Sequence, residues 1–208
     1  MPQLSRRSLG VLAAATSSLA PSLAWAQGSA PSGDPRLGPR AIGRADAPVT
    51  VIEFFSLTCG HCAAFHNTNW TRVKAELVDT GRIRFVWRDF PLDAIALAAA
   101  CVARSLPEER YGPFIGTLFQ TQDRWAFQQG RQMEELARMA ALAGLDRKGF
   151  DAAAADEGLR RGILEQRLAA EREFRISATP SFAFNGRMQS GNMGFDQFVD
   201  LVQQAPKS

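Results

Sequence analysis

The chain has 208 residues, of which 46% are hydrophobic and 22% are charged. This composition excludes a disordered or fibrous protein. The formal net charge is +3, from 24 basic and 21 acidic residues. Without Arg6 and Arg7 there are 22 basic residues, and the net charge falls to +1. A charge so close to neutral gives no support for nucleic-acid binding.

Residues 1–26 are predicted to be an export signal. Arg6 and Arg7 precede an apolar run from Leu9 to Ala20, and Ala-Trp-Ala at 24–26 is typical of a cleavage site. The adjacent arginines fit a twin-arginine signal and also an ordinary Sec signal, and both routes lead to the bacterial periplasm. Because the rest of the chain has no apolar stretch of about 18 residues, we expect the mature protein to be soluble.

The first half of the mature chain predicts a βαβ unit. Residues 27–47 are rich in Gly, Pro, Ser and Ala, so we expect a flexible lead-in there. A strand over 49–55, a helix from Gly60 to about Thr80 and a strand over 82–87 follow. Such a unit implies two parallel strands joined by a right-handed crossover.

The middle of the chain, residues 92–174, predicts a block of helices. An Ala-rich run spans 94–105, a second candidate spans 111–120, and the apolar face of a third ends before Gly144. The apolar face of a fourth consists of Leu159, Ile163, Leu164 and Leu168. We expect this block to be an insertion that packs on a sheet.

The last part of the chain predicts two strands and a helix. Strand-like runs at 181–184 and 187–190 flank Asn185-Gly186, a dipeptide that is typical of a tight hairpin. Spaced apolar residues from Phe195 to Val202 then indicate a terminal helix. The order βαβ, helical block, ββα predicts an α/β fold.

Two of the three cysteines form the motif Cys59-Gly60-His61-Cys62, which follows a predicted strand and begins a helix. A helix N-terminus favours the reactive thiolate at Cys59. Cys62 lies one turn further along the same face, where a disulfide with Cys59 can close. A protonated or hydrogen-bonding His61 is expected to stabilise the thiolate further. A stabilised reduced form makes the disulfide a stronger oxidant, so the motif favours a donor of disulfides.

Other interpretations of this motif have less support. A structural zinc site needs four ligands, and only His66 and Cys101 could join the pair, so no metal is expected. A purely structural disulfide between Cys59 and Cys62 would close a small loop and stabilise little. We expect His66 to be exposed on its helix, and Cys101 to be a buried, unpaired thiol.

The segment from Glu53 to Cys62 resembles the active-site strand and helix of the thioredoxin superfamily. From Ala47 to the terminal helix, the chain is similar to the DsbA family of bacterial periplasmic oxidoreductases. Phe90-Pro91-Leu92-Asp93 and Thr179-Pro180-Ser181-Phe182 match the alphaproteobacterial members of that family. Gly60 departs from the proline that many DsbA proteins carry between the cysteines.

The resemblance implies a thioredoxin fold with a helical insertion. Residues 48–91 and 175–208 would form the thioredoxin-fold domain, and residues 92–174 the insertion. It also implies a monomer that needs no cofactor beyond its redox-active disulfide. The expected partners are unfolded or reduced exported proteins, and a DsbB-like membrane quinone reductase that reoxidises the pair.

The resemblance also implies roles for individual residues. Cys59 would be the exposed nucleophile and Cys62 the buried resolving thiol. Glu53, on the strand beneath them, would be a buried acid that relays a proton to or from Cys62. The alternative is that Glu53 is an exposed strand glutamate.

Gly60, Thr179 and Pro180 are the residues expected to contact the substrate. The resemblance implies that Pro180 follows a cis peptide bond and that Thr179 presents its backbone to an extended substrate chain. We expect the Thr179 hydroxyl to lie within reach of the Cys59 sulfur; the alternative is that it points to solvent or to its own backbone. The residues alone would also allow an ordinary trans proline.

Three functions remain in competition. The first is a dithiol oxidase, and the second is an isomerase or reductase that keeps the same dithiol reduced. Relatives of the second kind usually add an N-terminal dimerisation domain, for which residues 27–47 are too short. The third is a redox-inactive binding protein on the same fold, which should lack the dithiol that this chain keeps.

Overall fold

The computed structural model describes residues 33–207, which form a mixed β-sheet with helices on it. The strands are β1 (Arg40–Ile42), β2 (Val49–Phe55), β3 (Ile83–Asp89), β4 (Ser181–Phe184) and β5 (Arg187–Ser190). Their order in the sheet is β1-β3-β2-β4-β5. Only β2 and β3 pair in parallel among these strands; the other neighbours are antiparallel.

The prediction of a flexible lead-in over 27–47 is wrong for Arg40–Ile42, which forms an edge strand against β3. Composition alone indicated a linker, but here the backbone gains ladder hydrogen bonds and the Arg40 side chain is buried. Residues 27–32 and the predicted export signal, 1–26, lie outside the described residues.

The predicted βαβ unit is confirmed, and its crossover is one continuous helix. Helix α1 (Gly60–Phe65) leads into a π-helical segment (His66–Trp70), then into α2 (Thr71–Val73) and a second π-helical segment (Lys74–Val78). His66, described below, is the first residue of the first π-helical segment.

The predicted hairpin between β4 and β5 is also confirmed. Asn185 and Gly186 adopt φ angles of 44° and 86°, the left-handed conformation that a tight two-residue hairpin turn requires. Helix α9 (Phe195–Gln203) then packs Phe198 against Phe65, Phe182 and Phe184 in the core.

The chain between β3 and β4 is helical, as predicted. Its elements are α3 (Ala94–Ser105), α4 (Glu108–Gln120), α5 (Gln122–Trp125), α6 (Gln132–Leu142), α7 (Arg147–Ala154) and α8 (Glu157–Phe174). The sequence analysis did not predict α5 or α7, which are short. Within the described residues, no helix is both long enough and apolar enough to cross a membrane.

The predicted apolar face of α8 is wrong at two positions. Leu164 and Leu168 are 37% and 50% exposed, whereas Leu159 and Ile163 are buried. Gly162 lies on the buried face, where a Cβ atom would clash with the methyl groups of Leu37. The buried face of α8 is therefore the one that carries Leu159, Gly162 and Ile163.

Cys101 is a buried thiol that forms no disulfide, as predicted. It packs in a small core with Leu37, Leu97, Leu159 and Ile163. Burial raises the pKa of this thiol from 9.0 to about 12. Cys101 is therefore a small apolar side chain at physiological pH, separate from the motif at Cys59 and Cys62.

Candidate active site

Cys59 stands at the junction of strand β2 and helix α1. It is the N-cap residue of α1, with an extended backbone (φ −82°, ψ 116°) and no side-chain capping bond. Its sulfur therefore faces helix N–H groups that have no intrahelical partner. The side chain is only partly buried, so a substrate sulfur can reach it.

Side chains from the helical insertion hold the loop before Cys59. The Gln122 side-chain amide, at the start of α5, donates hydrogen bonds to the carbonyl oxygens of Leu57 (2.8 Å) and Cys59 (3.2 Å). The Thr58 hydroxyl donates to Asp93, the N-cap of α3, at 2.6 Å. The sequence analysis missed Gln122, because nothing local in the sequence shows that α5 packs on this loop.

The pKa of Cys59 is lowered from 9.0 to about 5. Hydrogen bonding to Cys62 is the largest cause, and burial opposes it. The Thr179 side chain and the backbone N–H groups of Cys62 and His61 lower the pKa further. Cys59 is therefore a thiolate at neutral pH, which is the nucleophilic form.

Cys62 has the opposite character. It is fully buried, and burial raises its pKa well above 9.0. Its hydrogen bond to Cys59 and the negative charge of Glu53 raise the pKa further. The three cysteines are free in the structure, so Cys59 and Cys62 are present there as the reduced pair.

His61 acts on Cys59 through its backbone. Its side chain is exposed and has no hydrogen-bond partner among residues 33–207. Within His61, it is the backbone N–H that lowers the pKa of Cys59, and its effect is smaller than those of Cys62 and Thr179. We predicted that the His61 imidazole stabilises the Cys59 thiolate. Among these interactions, His61 instead contributes through its backbone N–H at the helix N-terminus.

Thr179 contacts the sulfur of Cys59, and the predicted cis peptide bond between Thr179 and Pro180 is confirmed. The Cys59 thiol donates a hydrogen bond to the Thr179 carbonyl oxygen at 3.3 Å. The Thr179 hydroxyl is buried and has no hydrogen-bond partner in the described residues, yet the Thr179 side chain lowers the pKa of Cys59. We interpret this hydroxyl as the donor that turns to the sulfur when the thiolate forms.

Gly60 is exposed beside Cys59, and a Cβ atom at this position would meet nothing within 4 Å. The open space leaves room for a substrate chain next to the sulfur. Its predicted contact with substrate stays a prediction.

Glu53 and His66 form a buried pair beneath the two cysteines. Glu53, on β2, is fully buried, so the alternative of an exposed strand glutamate is wrong. The prediction that His66 is exposed is also wrong: it is 6% exposed, and its Nε2 lies 2.9 Å from Glu53 Oε2. The sequence did carry a signal, because His66 lies four residues after Cys62 and so on the same helix face.

The described residues contain no group of three or more His, Cys, Asp or Glu side chains placed to hold a metal ion. Cys59, Cys62 and His66, the candidates for a zinc site, do not form one there.

The thioredoxin family model matches residues 36–204 of this chain. A Rickettsia felis protein, provisionally named a protein-disulfide oxidoreductase, is 28% identical over 165 residues, which cover 79% of this chain and 59% of that protein. The chain spans about three fifths of the length of the Rickettsia relatives it matches.

Two solved structures show the same architecture. Alpha-DsbA1 of Wolbachia pipientis superimposes with a TM-score of 0.75 at 27% identity, covering 80% of this chain and 90% of that one. A structure described as a protein-disulfide isomerase from Novosphingobium aromaticivorans has a TM-score of 0.69 at 22% identity, covering 79% of this chain and 97% of that one, and shares the fold. The chain belongs to the thioredoxin family, and its helical insertion makes it DsbA-like.

Proposed function

We propose that the chain is a periplasmic thiol:disulfide oxidoreductase that donates its Cys59–Cys62 disulfide to reduced or unfolded exported proteins. The observation that carries the proposal is the opposite acid–base character of the two sulfurs. The pKa of Cys59 is about 5, whereas that of Cys62 is raised well above 9.0. A dithiol with one strongly stabilised thiolate favours its reduced form, so its disulfide oxidises other thiols.

The reaction proceeds in two exchanges. A substrate thiolate attacks the Cys59 sulfur, the Cys59–Cys62 bond breaks, and its electron pair goes to the Cys62 sulfur. A second substrate thiolate attacks the substrate sulfur of the mixed disulfide, and Cys59 leaves as the thiolate. The substrate loses two electrons and gains a disulfide, and the enzyme is reduced to the dithiol.

Three residues contact the substrate in this proposal, and one moves a proton. Gly60 adjoins Cys59 in the chain and Thr179 contacts its sulfur; Thr179, held by its cis bond to Pro180, offers its backbone to an extended chain. Glu53 relays the proton that Cys62 needs, because a buried thiolate would be costly. The reaction needs no cofactor besides the disulfide.

The cellular setting is part of the proposal. The predicted export signal over 1–26 would deliver the chain to the oxidising periplasm, where a DsbB-like membrane quinone reductase would accept electrons from the reduced pair. Fractionation of bacteria that produce the full chain tests the location. Recovery of a shortened protein in the periplasm supports it, and retention of the full-length protein in the cytoplasm contradicts it.

The oxidase direction is tested by two measurements on the purified protein. The oxidised protein should catalyse disulfide formation in reduced, unfolded ribonuclease, and its reduction potential, measured against glutathione, should be more oxidising than that buffer. Cys101→Ala is the matched control, because it removes the third thiol and keeps the active pair. A potential below that of glutathione, with faster reshuffling of scrambled ribonuclease than oxidation, would support the isomerase or reductase alternative instead.

A further inference from the structure

The pair of Glu53 and His66 has two polar atoms that no neighbour satisfies. Glu53 Oε2 is bonded to His66 Nε2, but Glu53 Oε1 and His66 Nδ1 are buried without a hydrogen-bond partner among residues 33–207. Buried polar atoms without partners are unusual in folded proteins and call for an explanation. Here they belong to a pair whose carboxylate acts on the buried Cys62 sulfur, which changes its protonation during the proposed reaction.

The surroundings of the pair are aromatic. The imidazole of His66 stacks on Phe119 with a centroid distance of 4.3 Å, and the rings of Phe65 and Trp70 lie 5.7 Å and 5.5 Å away. Glu53 from β2 is bonded to His66, and its charge acts on Cys62 from α1. The pair can therefore hold a proton for this sulfur.

Cys62 creates the need for that proton. When the Cys59–Cys62 bond breaks, the electron pair goes to the Cys62 sulfur, which is fully buried. The charge of Glu53 acts on this sulfur and, with burial, raises its pKa well above 9.0. The sulfur therefore takes up one proton, and Glu53 is the nearby acid that can supply it.

We propose that His66 is the positioning residue for this proton transfer: by donating from Nε2 to Glu53 Oε2, it holds the carboxyl so that Oε1 carries the proton to Cys62. On reduction, the proton passes from Glu53 Oε1 to the Cys62 sulfur, and the carboxylate remains bonded to His66. On reoxidation, the sulfur returns the proton to Oε1. This inference rests on the proposed proton relay through Glu53 and adds the residue that orients it.

Variants at the two positions test whether His66 acts through Glu53. The measured quantity is the rate constant for reduction of the oxidised protein by dithiothreitol at pH 7. We expect Glu53→Gln to be slower on the order of 10²-fold, the usual cost of a lost general acid, and His66→Leu on the order of tenfold. The double variant should be no slower than Glu53→Gln alone, because both changes remove one pathway.

His66→Gln is the conservative variant, since its amide can still donate to Glu53. It should restore a rate within about twofold of the unsubstituted protein, and Lys74→Gln, an exposed change on the same crossover helix, should have no effect. Equal slowing by His66→Leu and His66→Gln, or losses that multiply in the double variant, would overturn the proposal.

The histidine tautomer gives a measurement that needs no variant. Nitrogen NMR of the unsubstituted protein should show His66 protonated at Nε2 and not at Nδ1 in the oxidised and the reduced form. Protonation at Nδ1 instead would overturn the positioning role. Dithiothreitol reduces the disulfide whether or not the protein oxidises other proteins. A failed oxidase assay would therefore contradict the proposed function without changing the test of His66.

Discussion

Two cysteines only three residues apart differ in acidity because their surroundings differ. Cys59 lies at the N-cap of α1 with backbone N–H groups and Thr179 around it, and these lower its pKa to about 5. Cys62 lies one turn into the helix, fully buried above Glu53, and its pKa is raised. Position along one helical turn thus assigns the nucleophile and the resolving thiol.

This assignment predicts different behaviour for two alanine variants. Cys59→Ala should abolish oxidation of a reduced protein substrate, because the thiolate nucleophile is lost. Cys62→Ala should trap a mixed disulfide through Cys59, because no internal thiol remains to resolve it. Non-reducing electrophoresis after mixing with substrate shows the trapped species. Equal trapping by Cys59→Ala would reverse the assignment.

The Thr179 hydroxyl gives a second prediction at the scale of a single residue. Thr179→Val should raise the pKa of Cys59 above about 5 and make the protein less oxidising. A hydrogen bond to a charged acceptor is worth ~1.5–3 kcal/mol, and 1.4 kcal/mol corresponds to ~30 mV in the potential. The ultraviolet absorbance of the thiolate, titrated against pH, measures the change.

Thr80→Val is the control for this substitution, because Thr80 is exposed at the end of the crossover helix. Its Cys59 titration should match that of the unsubstituted protein. If Thr179→Val also leaves the pKa of Cys59 where it is, Thr179 serves only through its backbone and shape.

At the scale of elements, one buried polar network joins the sheet to the insertion. Arg104 on α3 pairs with Asp89 on β3 at 2.5 Å, and Tyr111 on α4 donates to the same carboxylate at 3.1 Å. Arg104 also donates to the carbonyl oxygens of Arg36 (2.7 Å) and Gly38 (3.0 Å), just before β1. These contacts hold the first described residues onto the fold.

Removal of one partner from this network should be costly. Asp89→Asn should destabilise the protein by about 3–5 kcal/mol, because it leaves the buried guanidinium of Arg104 without its counter-charge. Asp46→Asn breaks the exposed pair with Arg44 and should leave the stability nearly unchanged, because solvent screens that pair. Urea unfolding of both variants measures the difference. If Asp89→Asn and Asp46→Asn lower the free energy of unfolding by similar amounts, the buried pair does not stabilise the protein more than the exposed one.

The same elements show what the sequence could and could not predict. The turn at Asn185-Gly186 and helix α3, capped by Asp93, depend on neighbouring residues and were predicted correctly. Strand β1 depends on pairing with β3 and on Arg104, more than 60 residues away, and it was missed. The cysteine motif is likewise local, whereas the contact of His66 with Glu53 needs the fold that brings the crossover helix onto β2.

At the scale of the whole molecule, the state of Cys59 is linked to stability. Its pKa in the folded, reduced protein is about 5, below the ordinary value of 9.0. Such a group contributes stability that is fully present above pH 9, the unfolded value, and is lost as the pH falls through about 5. Below pH 9, Cys62 and Cys101 are thiols in the folded and unfolded chains, so they add no pH dependence.

The reduced protein should therefore melt at a higher temperature than the oxidised one at pH 7, since the disulfide has no thiolate and closes only a small loop. The advantage should grow between pH 5 and pH 8, by at most about 1.4 kcal/mol per pH unit for one proton. Melting curves with and without reductant, at several pH values, measure it. In Cys59→Ala, which has neither thiolate nor disulfide, reductant should change nothing. A more stable oxidised form at pH 7 would contradict the proposed oxidase, because it would mean that the folded protein favours its disulfide.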